Sequence, residues 1–413
     1  MKRNVLIIGA GGVAQVVAHK CAQANDRLGD LHIASRTLAK CEAVIASVHE
    51  KNAMKVAGTF KAHAVDAMDS KAVAALIRET GCQIVINVGS SFVNMTVLEA
   101  CIETGAAYLD TAIHEDPAKI CETPPWYGNY EWQRRDRCRA AGVTAILGIG
   151  FDPGVVNAWA RLAEEDHFDT ITSIDIVDIN AGSHGKYFAT NFDPEINFRE
   201  FTGTVYSWQN GTWAENKMFE VGQTWNLPVV GDQKAYLTGH DEVHSLSARY
   251  PHADVRFWMG FGDHYINVFT VLKNLGLLSE KPVKTAEGLE VIPLKLVKAV
   301  LPDPASLAPT YSGKTCIGDV IRGLKDGKPA EVLIYNVADH AEAYAETGAQ
   351  GISYTAGVPP VVAALLIADG TWDTGTMNNV EDLNPKPFIT LLNGMGLPTR
   401  IKDAAGDRLV EFA

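Results

Sequence analysis

The chain has 413 residues, 47% of them hydrophobic and 21% charged, with a net charge of −13. This is the composition of a soluble globular protein too long for one ordinary domain, so two are expected. The acidic balance, without any basic block, argues against nucleic acid or an anionic membrane as a partner; no apolar stretch of membrane-spanning length is expected, and a start that runs straight into a strand pattern makes the cytoplasm the expected location.

The first predicted strand is the apolar run 4–8. It feeds the turn Gly9-Ala10-Gly11-Gly12-Val13-Ala14 and then a helical pattern carrying Val16, Val17 and Ala18. In the spacing G-x-G-x-x-A, Gly9 takes the tight turn, Gly11 lets the backbone approach a pyrophosphate, and Ala14 lets the helix lie close to the strand. The free N–H groups and positive dipole end of that helix face an anion. The second strand, 31–34, leads into Ser35-Arg36-Thr37. An NAD enzyme usually places Asp or Glu about 20 residues past the glycines. Here a guanidinium stands between two hydroxyls, a set suited to a phosphate, so NADP(H) is expected over NAD(H). The competing reading leaves Arg36 in solvent.

A third strand is expected at 61–65, ending in Asp66, then a helix at 71–80. A fourth strand at 83–87 runs into Val88-Gly89-Ser90-Ser91, and a helix at 94–104 stops at Gly105. A fifth strand at 107–109 ends in Asp110-Thr111, a charged helix at 131–141 stops at Gly142, and a sixth strand at 143–147 enters 148–154. Alternation of this kind predicts an α/β, doubly wound Rossmann-type parallel sheet, with ligands beyond the carboxyl ends of its strands. Each polar cluster above falls at such an end. After about residue 165 the pattern changes. Residues 170–180 alternate, runs rich in Thr, Tyr, Trp and Val follow at 202–214 and 254–272, and another strand is expected at 331–337. This predicts a second α+β domain on a mixed sheet. The stretch 354–360 opens an apolar helix at 361–368.

The seven cysteines, at 21, 41, 82, 101, 121, 138 and 316, form no C-x-x-C pair, so neither zinc nor a redox dithiol is suggested. His240-Asp241-Glu242-Val243-His244 has its Glu in the wrong place for H-E-x-x-H, and no metal is expected.

The chain resembles the saccharopine dehydrogenase (glutamate-forming) family. The resemblance rests on Gly9-Ala10-Gly11-Gly12-Val13-Ala14, on Ala34-Ser35-Arg36-Thr37, on 100–110 and on 148–157. The remainder is similar to one branch of that family, the carboxynorspermidine (carboxyspermidine) synthases, through 178–185, 190–200 and 351–360. The resemblance implies a reaction in which a diamine and L-aspartate β-semialdehyde condense to an imine that NADPH reduces to a carboxylated triamine in polyamine biosynthesis. It implies a homodimer, and a nucleotide domain at 1–160 rejoined by about 345–413 around a substrate-binding and dimerisation domain at 161–344. The competing enzyme reading is a saccharopine reductase joining glutamate to aminoadipate semialdehyde. A non-catalytic NADP-sensing protein is a third reading, opposed by the polar clusters at successive strand ends.

Imine reduction needs a hydride donor, a proton relay, and anchors for a carboxylate and a distal ammonium. The cofactor candidates are Gly9, Gly11, Gly12, Val13, Ala14, Ser35, Arg36, Thr37, Asp66, Val88, Gly89 and Thr111. By resemblance, Asp110 contacts cofactor or substrate, and Ser90 and Ser91 stand where the family binds nicotinamide and substrate; helix capping is the competing role for all three. His114 and His184 are candidate proton relays, set against structural loop positions. Arg199 is the candidate anchor for the substrate carboxylate, set against an ion pair with Glu195 or Glu200. Asp178, Asp193 and Glu200 are candidates for the cationic amine, set against solvated surface charge. Asp152, before Pro153-Gly154, is read as a helix cap in preference to a catalytic group. Because 178–200 is richer in acids than in Lys186 and Arg199, a cationic amine is mildly favoured.

Overall fold

A computed structural model describes residues 2–119 and 122–412, without the side chain of Glu200; Cys121 lies outside the described residues. The first half runs β1 (Val5–Ile8), α1 (Gly12–Gln23), β2 (Leu31–Ser35), α2 (Leu38–Glu50), β3 (Phe60–Ala64), α3 (Ser70–Thr80), β4 (Ile84–Asn87), α4 (Asn94–Thr104), β5 (Ala107–Asp110), α5 (Trp126–Asn129), α6 (Arg135–Ala141), β6 (Ala145–Leu147) and α7 (Val155–Asp166). The chain continues through β7 (Thr170–Asn180), α8 (Pro194–Thr202), β8 (Thr204–Gln209), β9 (Thr212–Lys217), β10 (Gly222–Leu227), β11 (Gly231–Thr238), α9 (Glu242–Arg249), β12 (Asp254–Gly260) and α10 (Asp263–Asn274). It ends with β13 (Val283–Lys284), β14 (Glu290–Val291), α11 (Pro293–Val300), β15 (Lys314–Lys325), β16 (Lys328–Asp339), α12 (His340–Thr347), α13 (Gly351–Ala368), β17 (Met377–Asn379), α14 (Pro385–Gly394), β18 (Arg400–Asp403) and β19 (Gly406–Leu409).

The first sheet has the order β17-β6-β5-β4-β1-β2-β3, and its pairings are all parallel. Val5, Leu6, Ile7 and Ile8 are all buried, as a strand covered on both faces requires. Helix ends follow local chemistry: Asp69 accepts from the N–H groups of Lys71 and Ala72 to start α3, and Gly81, Gly105 and Gly142 stop α3, α4 and α6 in the left-handed conformation. Strand order reverses at β1 and β4, which opens a crevice at their carboxyl ends.

The second sheet runs β10-β11-β12-β7-β15-β16-β18-β19, with β8 and β9 off that path. It is mixed, because β12 and β7 pair in parallel while β7, β15 and β16 pair antiparallel. Chain 377–379 therefore returns to the first sheet, and 400–409 adds to the second. The run 254–272 is not all strand: β12 ends at Gly260, and Tyr265, Phe269 and Leu272 recur at helical spacing to pack in one cluster with Phe198 and Phe201.

Helix α13 starts at Gly351, ten residues before the expected 361, and carries Pro359 and Pro360 in its interior. Burial between the sheets outweighs the helix-breaking tendency of the two prolines. By length and composition this 18-residue helix could span a membrane, contrary to expectation, but 78% of it is buried in the protein. It packs on α1, where a Cβ at Gly357 would lie 2.6 Å from the Val16 Cβ. One hydrophobic core runs from β1 through α1, α13 and α7 into β7 and β15.

Candidate active site

A cleft of about 1160 Å³ lies between the two sheets. The glycine turn forms its nucleotide end. Gly9 has φ +119°, and a Cβ there would lie 2.7 Å from the Val88 carbonyl oxygen, so only glycine fits without strain. A Cβ on Gly11 would meet nothing within 4 Å, because that backbone faces the open cleft. No side chain caps the first turn of α1, which leaves its N–H groups to an anion. Gly12 and Val13 line the cleft with Val88, Gly89 and Thr111, while Ala14 is buried behind them. This cradle fits a dinucleotide pyrophosphate.

Ser35, Arg36 and Thr37 stand at the end of β2, outside the cleft wall proper. Arg36 is exposed and makes no ion pair among the described residues, and Lys40 lines the cleft one helical turn further on. The Ser35 hydroxyl accepts from the Thr37 N–H. Asp66 departs from the cofactor role expected of it: it is exposed, does not line the cleft, and accepts from the Met68 N–H in a local turn.

The middle of the cleft is built by the loops after β4 and β5. Ser90 accepts from the Phe92 N–H and caps a short turn, whereas the Ser91 hydroxyl donates to Glu115 Oε1 at 3.0 Å. His114 donates from Nδ1 to the Ser91 carbonyl at 3.0 Å, and its ring meets Tyr130 edge-on at 4.6 Å. Burial holds the His114 pKa below its ordinary value, which favours the neutral ring. Glu115, which the sequence reading did not single out, has its pKa pushed up to about 7 by burial and by the charge of Asp241.

Asp110 does not line the cleft. It is 1% exposed and accepts from the Gly148 N–H at 2.6 Å, tying β5 to the loop after β6. Burial raises its pKa to about 7. Contact between its carboxylate and a reactant, the catalytic and substrate role expected of it, is replaced here by a wall-bracing role. His184 lies outside the cleft wall as well, edge-on to Tyr311 and accepting from the Lys186 N–H, so the structure does not bring this expected relay to the site.

Arg199 lines the cleft but its donors are committed, which corrects its reading as the carboxylate anchor. It is 6% exposed, donates to the carbonyls of Asp116, Pro117 and Lys119, and lies over the Phe92 ring. Glu115 and Glu280 stand 3.7 and 3.6 Å from it. Its work is to hold the loop that carries His114 and Glu115. Asp193 starts α8 as its cap and pairs with Lys298.

The far wall is acidic. Asp178 projects from β7, Asp152 from the loop after β6, and His240 and Asp241 from the loop between β11 and α9. Asp152 is not the helix cap: Gly154 holds that position, its N–H donating to the Asn157 side chain at 2.8 Å. Asp241 accepts from the Ile113 N–H at 2.6 Å, joining the far wall to the loop after β5. Burial, with the mutual repulsion of Asp152 and Asp178, raises the Asp152 pKa well above the carboxylate range; burial raises Asp178 to about 6. Behind them, Glu242 and Asp319 are 0% exposed, with Glu242 Oε1 and both Asp319 oxygens lacking partners among the described residues. No group of His, Cys, Asp and Glu among the described residues is arranged to hold a metal.

The saccharopine dehydrogenase NADP binding domain family model matches residues 5–146, and the saccharopine dehydrogenase C-terminal domain model matches 150–397. The chain belongs to the saccharopine dehydrogenase family. It is 46% identical over 400 residues to the carboxynorspermidine synthase of Vibrio alginolyticus, covering 97% of each chain. It is 42% identical over 396 residues to the carboxyaminopropylagmatine dehydrogenase of a Synechocystis species, covering 96% of each. Its fold matches saccharopine dehydrogenase (L-Glu forming) from Saccharomyces cerevisiae with a TM-score of 0.71 at 14% identity, across 97% of this chain and 100% of that one. The family assignment makes the chain an NADP-dependent oxidoreductase. Gly9, Gly11, Gly12 and Val13 would hold the pyrophosphate, and Arg36, exposed at the end of β2, would be the cation for the ribose phosphate. Bound there, the cofactor would supply a hydride to an electrophilic carbon, and the cleft onto which the glycine turn opens is walled by acids and hydroxyls.

Proposed function

We propose that this chain catalyses the NADPH-dependent reductive condensation of L-aspartate β-semialdehyde with a diamine, 1,3-diaminopropane or putrescine, to carboxynorspermidine or carboxyspermidine in polyamine biosynthesis. The observation that carries the reading is the placement of Asp152, Asp178 and Asp241 in the same cleft as the glycine turn. An ammonium group entering among these acids favours their ionised forms and is attracted by them, whereas a second carboxylate on the amine partner is repelled. The names of the relatives point the same way, because each describes a carboxylated aminopropyl group carried on an amine.

The amine is where those relatives differ, and agmatine belongs in the test panel for that reason. Saccharopine formation needs an amine bearing two carboxylates, and the cations best placed to meet them, Arg199 and Lys298, are already paired with loop carbonyls and acids. The same reading has the protein acting as a homodimer in the cytoplasm, on small molecules alone. The test is NADPH oxidation with the aldehyde plus 1,3-diaminopropane, putrescine, agmatine or no amine. Oxidation that depends on a diamine supports the reading. Oxidation with aminoadipate semialdehyde and glutamate instead transfers the chain to the saccharopine branch.

A further inference from the structure

We infer that Ser353, at the start of α13, donates its hydroxyl to the cofactor pyrophosphate, so that the nucleotide is held between two helix N-termini, that of α1 and that of α13. The inference concerns the nucleotide alone and does not depend on which amine is condensed. It starts from Gly12. In the spacing G-x-G-x-x-A only Gly9, Gly11 and Ala14 hold prescribed places, and Gly12 falls at a free one. Its φ is not positive, so its backbone conformation does not demand glycine. The space around it does. A Cβ on Gly12 would lie 2.6 Å from Ser353 Oγ and 3.4 Å from Ser353 Cβ, and would meet nothing else within 4 Å. The missing side chain leaves room for one hydroxyl and sets it beside the uncapped first turn of α1.

The start of α13 is fixed in place. His340 is 0% exposed, and its ring stacks on Tyr311 with centroids 3.8 Å apart. Its Nδ1 accepts from the Gly351 N–H at 3.0 Å, which leaves Nε2 to donate to Asn180 Oδ1, also at 3.0 Å. The Ile352 N–H donates to the Gln350 side chain at 2.8 Å. Two N–H groups of the first turn are therefore taken by the protein. The next is not: neither the N–H nor the hydroxyl of Ser353 has a hydrogen-bond partner among the described residues. Ser353 is 9% exposed and lines the cleft, with Ile352 and Thr355 on the same wall. A hydroxyl so nearly buried, with no protein partner, is stabilised by whatever accepts from it in the cleft. It stands at the positive end of an 18-residue helix and against the glycine turn, and the acceptor that suits both is an anionic phosphate oxygen. Because α13 packs on α1, the two helix starts keep a fixed separation.

Equilibrium titration of the full chain with NADPH and NADH tests the inference without any turnover. The pyrophosphate is common to both nucleotides, so Ser353→Ala is expected to weaken each by about tenfold, unlike a change at Arg36. In the absence of nucleotide the urea unfolding midpoint of Ser353→Ala is expected to be no lower than that of the wild type, because the hydroxyl has no protein partner to lose. Gly12→Ala displaces the hydroxyl and is expected to weaken both nucleotides by a similar factor. Where residue 353 is already alanine, the same change is expected to cost less than about twofold, since the new Cβ then faces only a methyl group at 3.4 Å. Unchanged affinity for both nucleotides in Ser353→Ala overturns the assignment. So does a raised KM for the aldehyde at unchanged nucleotide affinity, which gives the hydroxyl to the substrate carboxylate. A lowered midpoint without nucleotide, or additive losses in the double variant, overturns it in favour of a structural role. Failure of the condensation reading leaves these nucleotide affinities as they are.

Discussion

His114 Nδ1 and the Ser91 carbonyl oxygen lie 3.0 Å apart, a bond that fastens the loop after β5 to the loop after β4. Those loops carry the hydroxyls, imidazole and carboxylate at the centre of the cleft. An asparagine at 114 can place an amide N–H near the position of Nδ1, whereas alanine cannot. His114→Ala is expected to lower kcat/KM about tenfold, the equivalent of one lost hydrogen bond. His114→Asn should recover most of that loss if the bond is the main contribution, and should not if the ring exchanges protons. Steady-state kinetics of the two variants decide between these roles.

Arg36 stands exposed at the end of β2 with no ion partner among the described residues. Reversing its charge removes a phosphate ligand and adds repulsion. Arg36→Glu is expected to weaken NADPH by about 100-fold, roughly 3 kcal/mol, while NADH changes by less than about threefold. Titration with both nucleotides checks the expectation. Equal loss for both would move phosphate recognition elsewhere, with Lys40 the next residue to test.

Arg199 holds three carbonyls of the 116–119 loop and stands beside Glu115 and Glu280. Its removal takes the cation away from Glu115 and from the buried Glu280 Oε1 and frees the loop carbonyls, at a cost of about 1–3 kcal/mol. Arg199→Ala is expected to lower the unfolding midpoint in urea and to reduce kcat as well as raise KM, because the loop it secures carries His114 and Glu115. A rise in KM for the aldehyde alone, at unchanged stability, would restore the carboxylate-anchor role.

Glu381 is 1% exposed, and burial raises its pKa from 4.5 to about 7. The folded protein therefore binds a proton there between those values that the unfolded chain has released. Stability from this group is fully present below about pH 4.5 and is lost as pH rises through 7. Glu381→Gln removes the dependence. Relative to wild type, the variant should gain about 1–3 kcal/mol between about pH 5 and about pH 8, measured by urea unfolding at each pH. A constant difference across the range would mean that the carboxyl is ionised throughout.

The nucleotide half was legible because its signals are local. Gly9, Gly11 and Ala14 lie within six residues, and the stops at Gly105 and Gly142 are single-residue chemistry. The far wall was not, because Asp152, Asp178, His240 and Asp319 come from four separate segments and meet only when β7 pairs with β12 and β15. Asp178 was among the sequence candidates for the cationic amine, whereas Asp319, between Gly318 and Val320 in β15, was not. Asp152 was misread because Pro and Gly after an Asp announce a helix start; Gly154 and Asn157 supply that start instead. Arg199 was misread because a guanidinium suits a carboxylate and a row of carbonyls alike, and only the path of the 116–119 loop decides between them.

The most direct test of the central claim follows the transferred hydrogen. The enzyme is supplied with aspartate β-semialdehyde, 1,3-diaminopropane or putrescine, and NADPH deuterated at the transferred position, and the product is examined by mass spectrometry and NMR. The account predicts a carboxylated triamine carrying one deuterium on the carbon of the new C–N bond. Deuterium in an amino-alcohol, formed by reduction of the aldehyde without the amine, would contradict it.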